Sequence, residues 1–207
     1  MGPITKEALI DFEEALVREF EQGRIRAPVH LSGNNEDALI EIFKEVGPSD
    51  WMFSTWRSHY HALLKGIPRE KIWDECIRGN SITLCFPEDR FFTSAIVGGI
   101  IPIAVGVAAG VKMSGGNEKV WCFVGDMALE TGIFWESVKY AHANAYPVRW
   151  VIEDNDFSTS TPSRETWARP EDDKTMLRVL DLLGVPYKYY FYKRKYPHQG
   201  IGKWVAF

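Results

Sequence analysis

Hydrophobic positions in the first part of the chain repeat with helical spacing. Leu9, Phe12, Leu16 and Phe20 follow one another at intervals of three or four residues, which is the period of an amphipathic helix. Short elements separated by turn residues follow, so this part of the chain is expected to be mainly helical. The predicted elements are helices over residues 5–22, from 34 or 35 to 46, 59–65 and 68–76, and a strand over residues 51–55.

The second half of the chain alternates strands with helices. Residues 119–125, KVWCFVG, form a nearly continuous apolar run that is typical of a central parallel strand. A helix over 131–144 and a second strand over 148–152 complete a strand–helix–strand unit. A further helix over 174–183 and a strand over 187–192 follow. We therefore predict an α/β fold, with a doubly wound, mostly parallel sheet and helices on both faces.

One apolar segment contains no charged residue. Residues 95–111, AIVGGIIPIAVGVAAGV, are rich in Gly and Ala and include Pro102. The segment falls short of the roughly 20 residues that span a bilayer. We therefore expect a helix that is buried on all sides, and no membrane span.

Composition narrows the class of protein. A chain of 207 residues suits one domain, with residues 1–27 as a helical arm and residues 185–207 as a C-terminal strand and tail. The net charge of −4 shows no basic surplus for nucleic acid. Three cysteines without a CxxC pair predict buried thiols in a reducing compartment. The amphipathic start, which has no apolar signal segment, makes the cytoplasm the expected location.

Two of the predicted strands end in polar residues. Gly125-Asp126 follows the first of them, and Glu153-Asp154-Asn155 follows the next, 155 − 126 = 29 residues later. One helix and two loops fit that interval, so both ends are expected at the carboxyl edge of the sheet, where ligands collect. Carboxylate, amide and backbone carbonyl oxygens suit Mg²⁺. Asp and Asn are also common turn residues, so these positions alone leave a metal site and ordinary turns open.

Four segments that occur in a fixed order resemble a known family. They are APVHLSGNNEDALI, FSTWRSHYHALLKGI, FFTSAIVGGIIPIAVGVAAGVK and GDMALETGIFWESVKYAHANAYPVRWVIEDNDF, within about residues 28–161. The last segment resembles the thiamine-diphosphate motif, which opens with Gly-Asp-Gly and closes on Asn about thirty residues later. Together the segments resemble the alpha subunit of the dehydrogenase component of 2-oxo acid dehydrogenase complexes. The resemblance implies that residues 1–207 are a single diphosphate-binding domain of the thiamine-diphosphate-binding fold.

Carried over residue by residue, the resemblance implies a site for thiamine diphosphate and Mg²⁺. Asp126, the side chain of Asn155 and the backbone carbonyl of Phe157 would be the metal ligands. Arg57 matches an Arg that reaches the diphosphate, a role that suits its fork of donors. The implied cofactor-binding residues are Trp56, Arg57, Ala95, Val97, Gly125, Asp126, Met127, Ala128, Asn155 and Phe157.

The histidines have both functional and structural interpretations. His30 and His59 match active-site histidines of the family and are the catalytic candidates, although a structural role stays open for each. His61 and His142 are expected on helix surfaces. The chain is short for this family, and His198 is a candidate replacement for a histidine of the family's regulated loop, with a structural or interface role as the alternative.

The chain also departs from the family pattern. Met127 replaces the third Gly of the motif, Ala95 replaces another Gly, and Trp56 replaces a Tyr. Asp154 adds a negative charge where the family commonly has Asn. Because no proposed metal ligand is lost, these changes bear on substrate and catalytic competence more than on cofactor binding.

The resemblance implies an enzyme subunit that needs a partner. In two-chain members, the glutamate that promotes ionisation of the cofactor belongs to a pyrimidine-binding beta subunit, so an alpha2beta2 heterotetramer is expected. The implied reaction is decarboxylation of a 2-oxo acid, with transfer of the acyl unit to the lipoyl group of an acyltransferase. Two alternatives remain. One is a split transketolase-like carboligase acting on a ketose, suggested by Trp135-Glu136, and the other is a non-catalytic subunit that retains the fold.

Overall fold

The structure is a computed structural model that describes residues 4–170 and 173–196. The strands in these residues are β1 (Trp51–Ser54), β2 (Cys85–Phe86), β3 (Phe91–Thr93), β4 (Val120–Gly125), β5 (Val148–Asp154), β6 (Phe157–Ser158), β7 (Thr161–Pro162) and β8 (Tyr187–Phe191). Six of them form one sheet in the order β2-β3-β1-β4-β5-β8. Its neighbouring strands are parallel except β2 and β3, while β6 and β7 form a separate antiparallel pair.

The helices occupy both faces of this sheet. They are α1 (Lys6–Glu21), α2 (Glu36–Phe43), α3 (His59–Leu64), α4 (Arg69–Ile77), α5 (Ile100–Met113), α6 (Asp126–Leu129), α7 (Gly132–Ala143), α8 (Ser163–Thr166) and α9 (Thr175–Leu183). Helices α1–α4 pack on one face, and α5, α7 and α9 pack on the other. The predicted α/β fold, doubly wound with a mostly parallel sheet, is therefore confirmed.

The central strand β4 shows how the sequence produces these two layers. Its side chains alternate between the faces, as in any strand. Trp121 and Phe123 join the core beneath α1–α4, and Val120, Cys122 and Val124 join the core beneath α5 and α7. Because both faces of the strand are buried, its sequence is continuously apolar.

The predicted helices and long strands are present with boundaries close to those expected. In α1, for example, the Thr5 hydroxyl accepts a hydrogen bond from the Ala8 amide and caps the helix. The sequence interpretation missed β2 and β3, which are only two and three residues long. Elements of that length carry too few residues for a periodic pattern.

The prediction that residues 95–111 form a helix buried on all sides is wrong. Helix α5 begins only at Ile100, after a turn in which Gly98 has a φ of 74°. One side of α5 packs on the sheet and on α7, whereas Ile103 on the other side is 53% exposed. In the described residues, no helix is both long and apolar enough to cross a membrane.

The cysteine prediction holds in part. Cys76 and Cys122 are buried free thiols, as expected, whereas Cys85 is exposed on β2. Its strand lies at the edge of the sheet, next to β3 alone. No sequence pattern marked that edge, because β2 itself was not predicted.

Candidate functional site

A cavity opens at the carboxyl edge of the sheet beside β1 and β4. The chain passes from β1 to β3 on one side and then to β4 on the other side of β1. Such a change of direction leaves a crevice at the strand ends, where α/β proteins bind ligands. Among the predicted cofactor-binding residues, all but Ala95 line this cavity: Trp56, Arg57, Val97, Gly125, Asp126, Met127, Ala128, Asn155 and Phe157.

Asp126 is the most unusual group in the cavity. It follows β4 directly and is only 3% exposed. Neither carboxylate oxygen has a hydrogen-bond partner within the described residues. Burial, with a smaller contribution from the charge of Asp154, raises the pKa of Asp126 to about 6; the Ser163 hydroxyl and the Asp126 and Asn155 amides lie near enough to oppose this rise, although none of them has hydrogen-bond geometry to the carboxylate. A carboxylate in this condition costs free energy unless a positive ligand compensates it, so the residue fits a cation site.

Asn155 forms the second part of the site. Its Oδ1 accepts a hydrogen bond from the Phe157 amide at 3.1 Å, and its Nδ2 donates to the Tyr192 hydroxyl at 3.1 Å. The first contact makes a compact Asx turn, helped by Asp156, which has a φ of 61°. An amide oxygen has two lone pairs, so Oδ1 retains capacity for a cation. Together with Asp126 and the Phe157 carbonyl, it provides the hard oxygen ligands that suit Mg²⁺.

Arg57 supplies positive charge to the cavity. Its guanidinium is buried, and Nη1 donates to the Leu31 carbonyl at 2.8 Å. Burial lowers the pKa of Arg57, but a guanidinium stays protonated in proteins. Of the described residues that line the cavity, it is the only Lys or Arg. A fixed fork of donors at this position suits a phosphate group.

The turn after β4 accommodates a side chain where the resemblance expects glycine. Met127 lines the cavity, and its sulfur accepts a hydrogen bond from Trp167 Nε1 at 3.1 Å. Trp167 follows α8 directly. The methionine therefore has a partner of its own, contributed by the segment that follows the Asn155 turn.

The two candidate catalytic histidines lie off the cavity surface. His59 is fully buried, with Nδ1 3.2 Å from Glu13 Oε1 and Nε2 2.8 Å from Ser81 Oγ. His30 is also buried, and its ring packs edge-on against Trp56 with 6.3 Å between ring centroids. Neither is among the residues that line the cavity, and their catalytic roles stay predictions.

The other histidine predictions have different outcomes. His142 is exposed on α7, as expected. His61 was also expected on a helix surface, and that prediction is wrong because it is fully buried. Its ring packs edge-on against Phe123, with 4.5 Å between ring centroids. Helix α3 is short and packed between other helices and the sheet, so it has little exposed surface. His198 lies outside the described residues.

Glu153 and Tyr192 are among the cavity residues to which the sequence assigned no role. Glu153 is buried, and its Oε1 accepts a hydrogen bond from the Tyr190 hydroxyl and lies 3.1 Å from His61 Nε2. Tyr192 lines the cavity just beyond β8. A charged residue at the end of the apolar strand β5 was a usable signal for Glu153. Tyr192 had none, because the run YKYYFYK offers several equivalent aromatic residues.

Comparisons with known proteins agree with this arrangement. Residues 5–174 match the family described as Dehydrogenase E1 component. The chain is 30% identical over 179 residues to the alpha subunit of acetoin:2,6-dichlorophenolindophenol oxidoreductase of Cupriavidus necator, covering 77% of this chain and 54% of that protein. It is 29% identical over 189 residues to the pyruvate dehydrogenase E1 component subunit alpha of Rickettsia typhi, covering 81% of this chain and 57% of that protein.

The chain spans about half the length of the curated relatives that it matches. The family match nevertheless covers most of the chain and includes the residues that follow β1, β4 and β5. This chain therefore belongs to the dehydrogenase E1 component family.

Proposed function

We propose that this chain is the diphosphate-binding subunit of an enzyme that depends on thiamine diphosphate and Mg²⁺. The reaction is decarboxylation of a 2-oxo acid and transfer of the remaining acyl or aldehyde unit, with a lipoyl group of an acyltransferase as the acceptor. Asp126 carries the proposal, because it is a buried carboxylate without a hydrogen bond in the described part of the chain and it lines a cavity with Asn155 and Arg57. The names of the relatives, alpha subunits of pyruvate dehydrogenase and of an acetoin oxidoreductase, support the same class.

Each residue has a defined task in this proposal. Asp126, Asn155 and the carbonyl of Phe157 hold Mg²⁺, and Arg57 binds the diphosphate. Thiamine diphosphate supplies the nucleophilic carbon for the decarboxylation when it is bound. Val97 contributes apolar surface to the cavity.

The proposal includes a separate pyrimidine-binding partner chain in an alpha2beta2 assembly. Ile96 lines the cavity and is 74% exposed, and Ile103 on α5 is 53% exposed. Exposed large apolar side chains of this kind often mark a protein–protein interface. Apart from the neighbouring backbone of α5, a Cβ added at Gly106 or Gly110 would meet no atom of the described residues within 4 Å, so these glycines leave room for a closely approaching neighbour.

Calorimetric titration of thiamine diphosphate with Mg²⁺ tests the proposed function. The full chain is titrated alone and together with the candidate partner encoded beside it. We expect binding that appears or tightens with the partner, that is lost in Asp126→Ala, and that is retained in Asp74→Ala, a control at an exposed position of α4. Absence of binding in both preparations of the wild-type chain would overturn the proposal in favour of a non-catalytic subunit.

Substrate assays separate the proposed reaction from the transketolase-like alternative. A 2-oxo acid with a lipoyl acceptor should turn over, whereas a ketose with an aldose acceptor should not. Trp135 and Glu136, which suggested the alternative, are not among the residues that line the cavity, so the pair adds no support for it. If only the ketose and aldose pair turned over, the chain would be assigned to a carboligase and not to a dehydrogenase.

A further inference from the structure

The residues after β8 run past the candidate cofactor site to the loop before α2, and the first of them, Tyr192, lines its cavity. We call residues 192–195 the crossing segment. Its first amide, that of Tyr192, donates to the Asp154 carbonyl at 2.8 Å, so the segment begins against the turn that carries Asn155. At its far end the Lys195 amide donates to the Ser32 carbonyl at 3.2 Å. The crossing segment thus joins the turn after β5 to the loop that precedes α2.

Tyr192 determines which way the Asn155 amide group faces. A side-chain amide can present either its oxygen or its nitrogen in a given direction. Here the Tyr192 hydroxyl accepts from Nδ2 at 3.1 Å, which leaves Oδ1 on the side of the Phe157 amide. In the proposed site, Oδ1 is the atom that a cation needs.

Arg194 supports the same turn from outside the cavity. Its Cζ lies 4.3 Å from the centroid of the Phe157 ring, and its Nη1 donates to the Thr159 carbonyl at 2.8 Å. These contacts flank the Phe157 carbonyl along the chain, one at the Phe157 ring and one at Thr159, the residue after β6. Arg194 is not among the residues that line the cavity. Its charge also interacts with that of Asp126, so Arg194→Lys, which keeps the charge, separates the effect of the charge from the effect of these contacts.

We propose that Tyr192 and Arg194 are positioning residues for the cation site, because they orient the Asn155 oxygen and the Phe157 carbonyl toward it. This inference rests on the proposed function. It makes the crossing segment, which in sequence lies far from the thiamine-diphosphate motif, part of the cofactor site. Groups that orient metal ligands typically change metal affinity by about 10- to 100-fold when they are removed.

Binding of Mn²⁺, measured by electron paramagnetic resonance in the presence of thiamine diphosphate, tests the inference. The full chain is used together with its partner, and thermal unfolding confirms that each variant is folded. Tyr192→Phe removes only the hydroxyl and should weaken Mn²⁺ binding about 10-fold. Tyr187→Phe is the matched control, because Tyr187 lies on β8, the strand that leads to Tyr192, and its hydroxyl donates to the exposed Asp181 at 3.0 Å. It should leave the affinity unchanged.

A second comparison asks whether Tyr192 acts through Asn155. In an Asn155→Ser background a hydroxyl still offers an oxygen to the cation, but the shorter side chain has no group in the place of Nδ2 to bond Tyr192. Tyr192→Phe should then cause no further loss, which is the signature of coupled residues in a double-mutant cycle. Arg194→Ala should also weaken binding about 10-fold, with Arg194→Lys intermediate.

The outcomes separate the two proposals. A wild-type chain that binds Mn²⁺ with thiamine diphosphate, but whose Tyr192→Phe and Arg194→Ala variants bind equally well, would overturn the inference and leave the proposed function standing. An equal loss from Tyr192→Phe in both backgrounds would show that Tyr192 does not act through Asn155, and would also overturn it. A wild-type chain that binds no Mn²⁺ would overturn both.

Discussion

Two buried carboxylates in this chain have opposite surroundings. Glu13, on α1, is 1% exposed; its two oxygens accept from the Ser32 amide at 3.1 and 3.0 Å, and Oε1 lies 3.2 Å from His59 Nδ1. Asp126 is nearly as buried, yet neither of its oxygens is hydrogen-bonded within residues 4–170 and 173–196. Burial alone therefore does not distinguish a structural acid from a binding group. The hydrogen-bond partners do, because a satisfied carboxylate stabilises the fold and an unsatisfied one needs a ligand.

Removal of Glu13 should produce the largest effect on stability. Glu13→Ala leaves His59 without its acidic partner and the Ser32 amide without an acceptor, so we expect a loss of about 3–5 kcal/mol of unfolding free energy. Urea denaturation measures this loss. Glu14→Ala is the matched control, because Glu14 makes only a half-exposed ion pair with Lys195 and should cost less than about 1 kcal/mol. Equal losses of unfolding free energy in the two variants would show that the buried contacts of Glu13 contribute no more to stability than the exposed ion pair of Glu14.

Replacement of Asp126 should stabilise the folded chain, whereas replacement of Glu13 should destabilise it. Its pKa rises from 3.8 in the unfolded chain to about 6 in the folded one, so ionisation favours the unfolded state. This destabilisation of the folded state is absent below pH 3.8 and reaches its full size above about pH 6. Without cofactor, Asp126→Asn should therefore stabilise the chain at pH 7 by up to about 3 kcal/mol, and the gain should vanish near pH 4.

Asp50 provides the control for that measurement. It is also a buried aspartate, but it accepts hydrogen bonds from Trp121 Nε1 and from the amides of Gly47 and Lys119 at 2.8–2.9 Å. Asp50→Asn should destabilise the chain at pH 7, because an amide cannot accept from all three donors. Urea denaturation at pH 7 and pH 4 checks both variants. Destabilisation by Asp126→Asn at pH 7 would contradict the assignment of Asp126 as an unsatisfied acid.

His59 should show the smallest of the three effects. His59→Gln keeps one polar contact to Glu13 or Ser81, so we expect a loss of about 2 kcal/mol in unfolding free energy. Calorimetry should give an unchanged affinity for thiamine diphosphate, because His59 does not line the cavity. A variant with wild-type stability but a reaction rate reduced 100-fold or more would instead support the catalytic role that the family resemblance implies for His59.

Site residues next to recognisable strands could be predicted from the sequence, whereas contacts between distant segments could not. Asp126 and Asn155 became candidates because each lies at the end of a recognisable strand and parallel strands bring their carboxyl ends to one edge, and the family resemblance then implied their role as metal ligands. Glu13, Ser81 and His59 meet from three separate segments. No local sequence pattern indicates such a long-range contact, so His59 was interpreted only through its position in a family motif.

The sequence alone determined the α/β class, the sheet layers and the ends of β4 and β5, because hydrophobic periodicity and strand-end residues are local properties. Tertiary structure alone decided which polar groups are satisfied. It buried His61 against Phe123, exposed one side of α5, and brought Tyr192 to Asn155 across 192 − 155 = 37 positions of the chain. The physical reason is that hydrogen-bond partners and solvent access depend on which segments pack together, and that packing is a property of the whole chain.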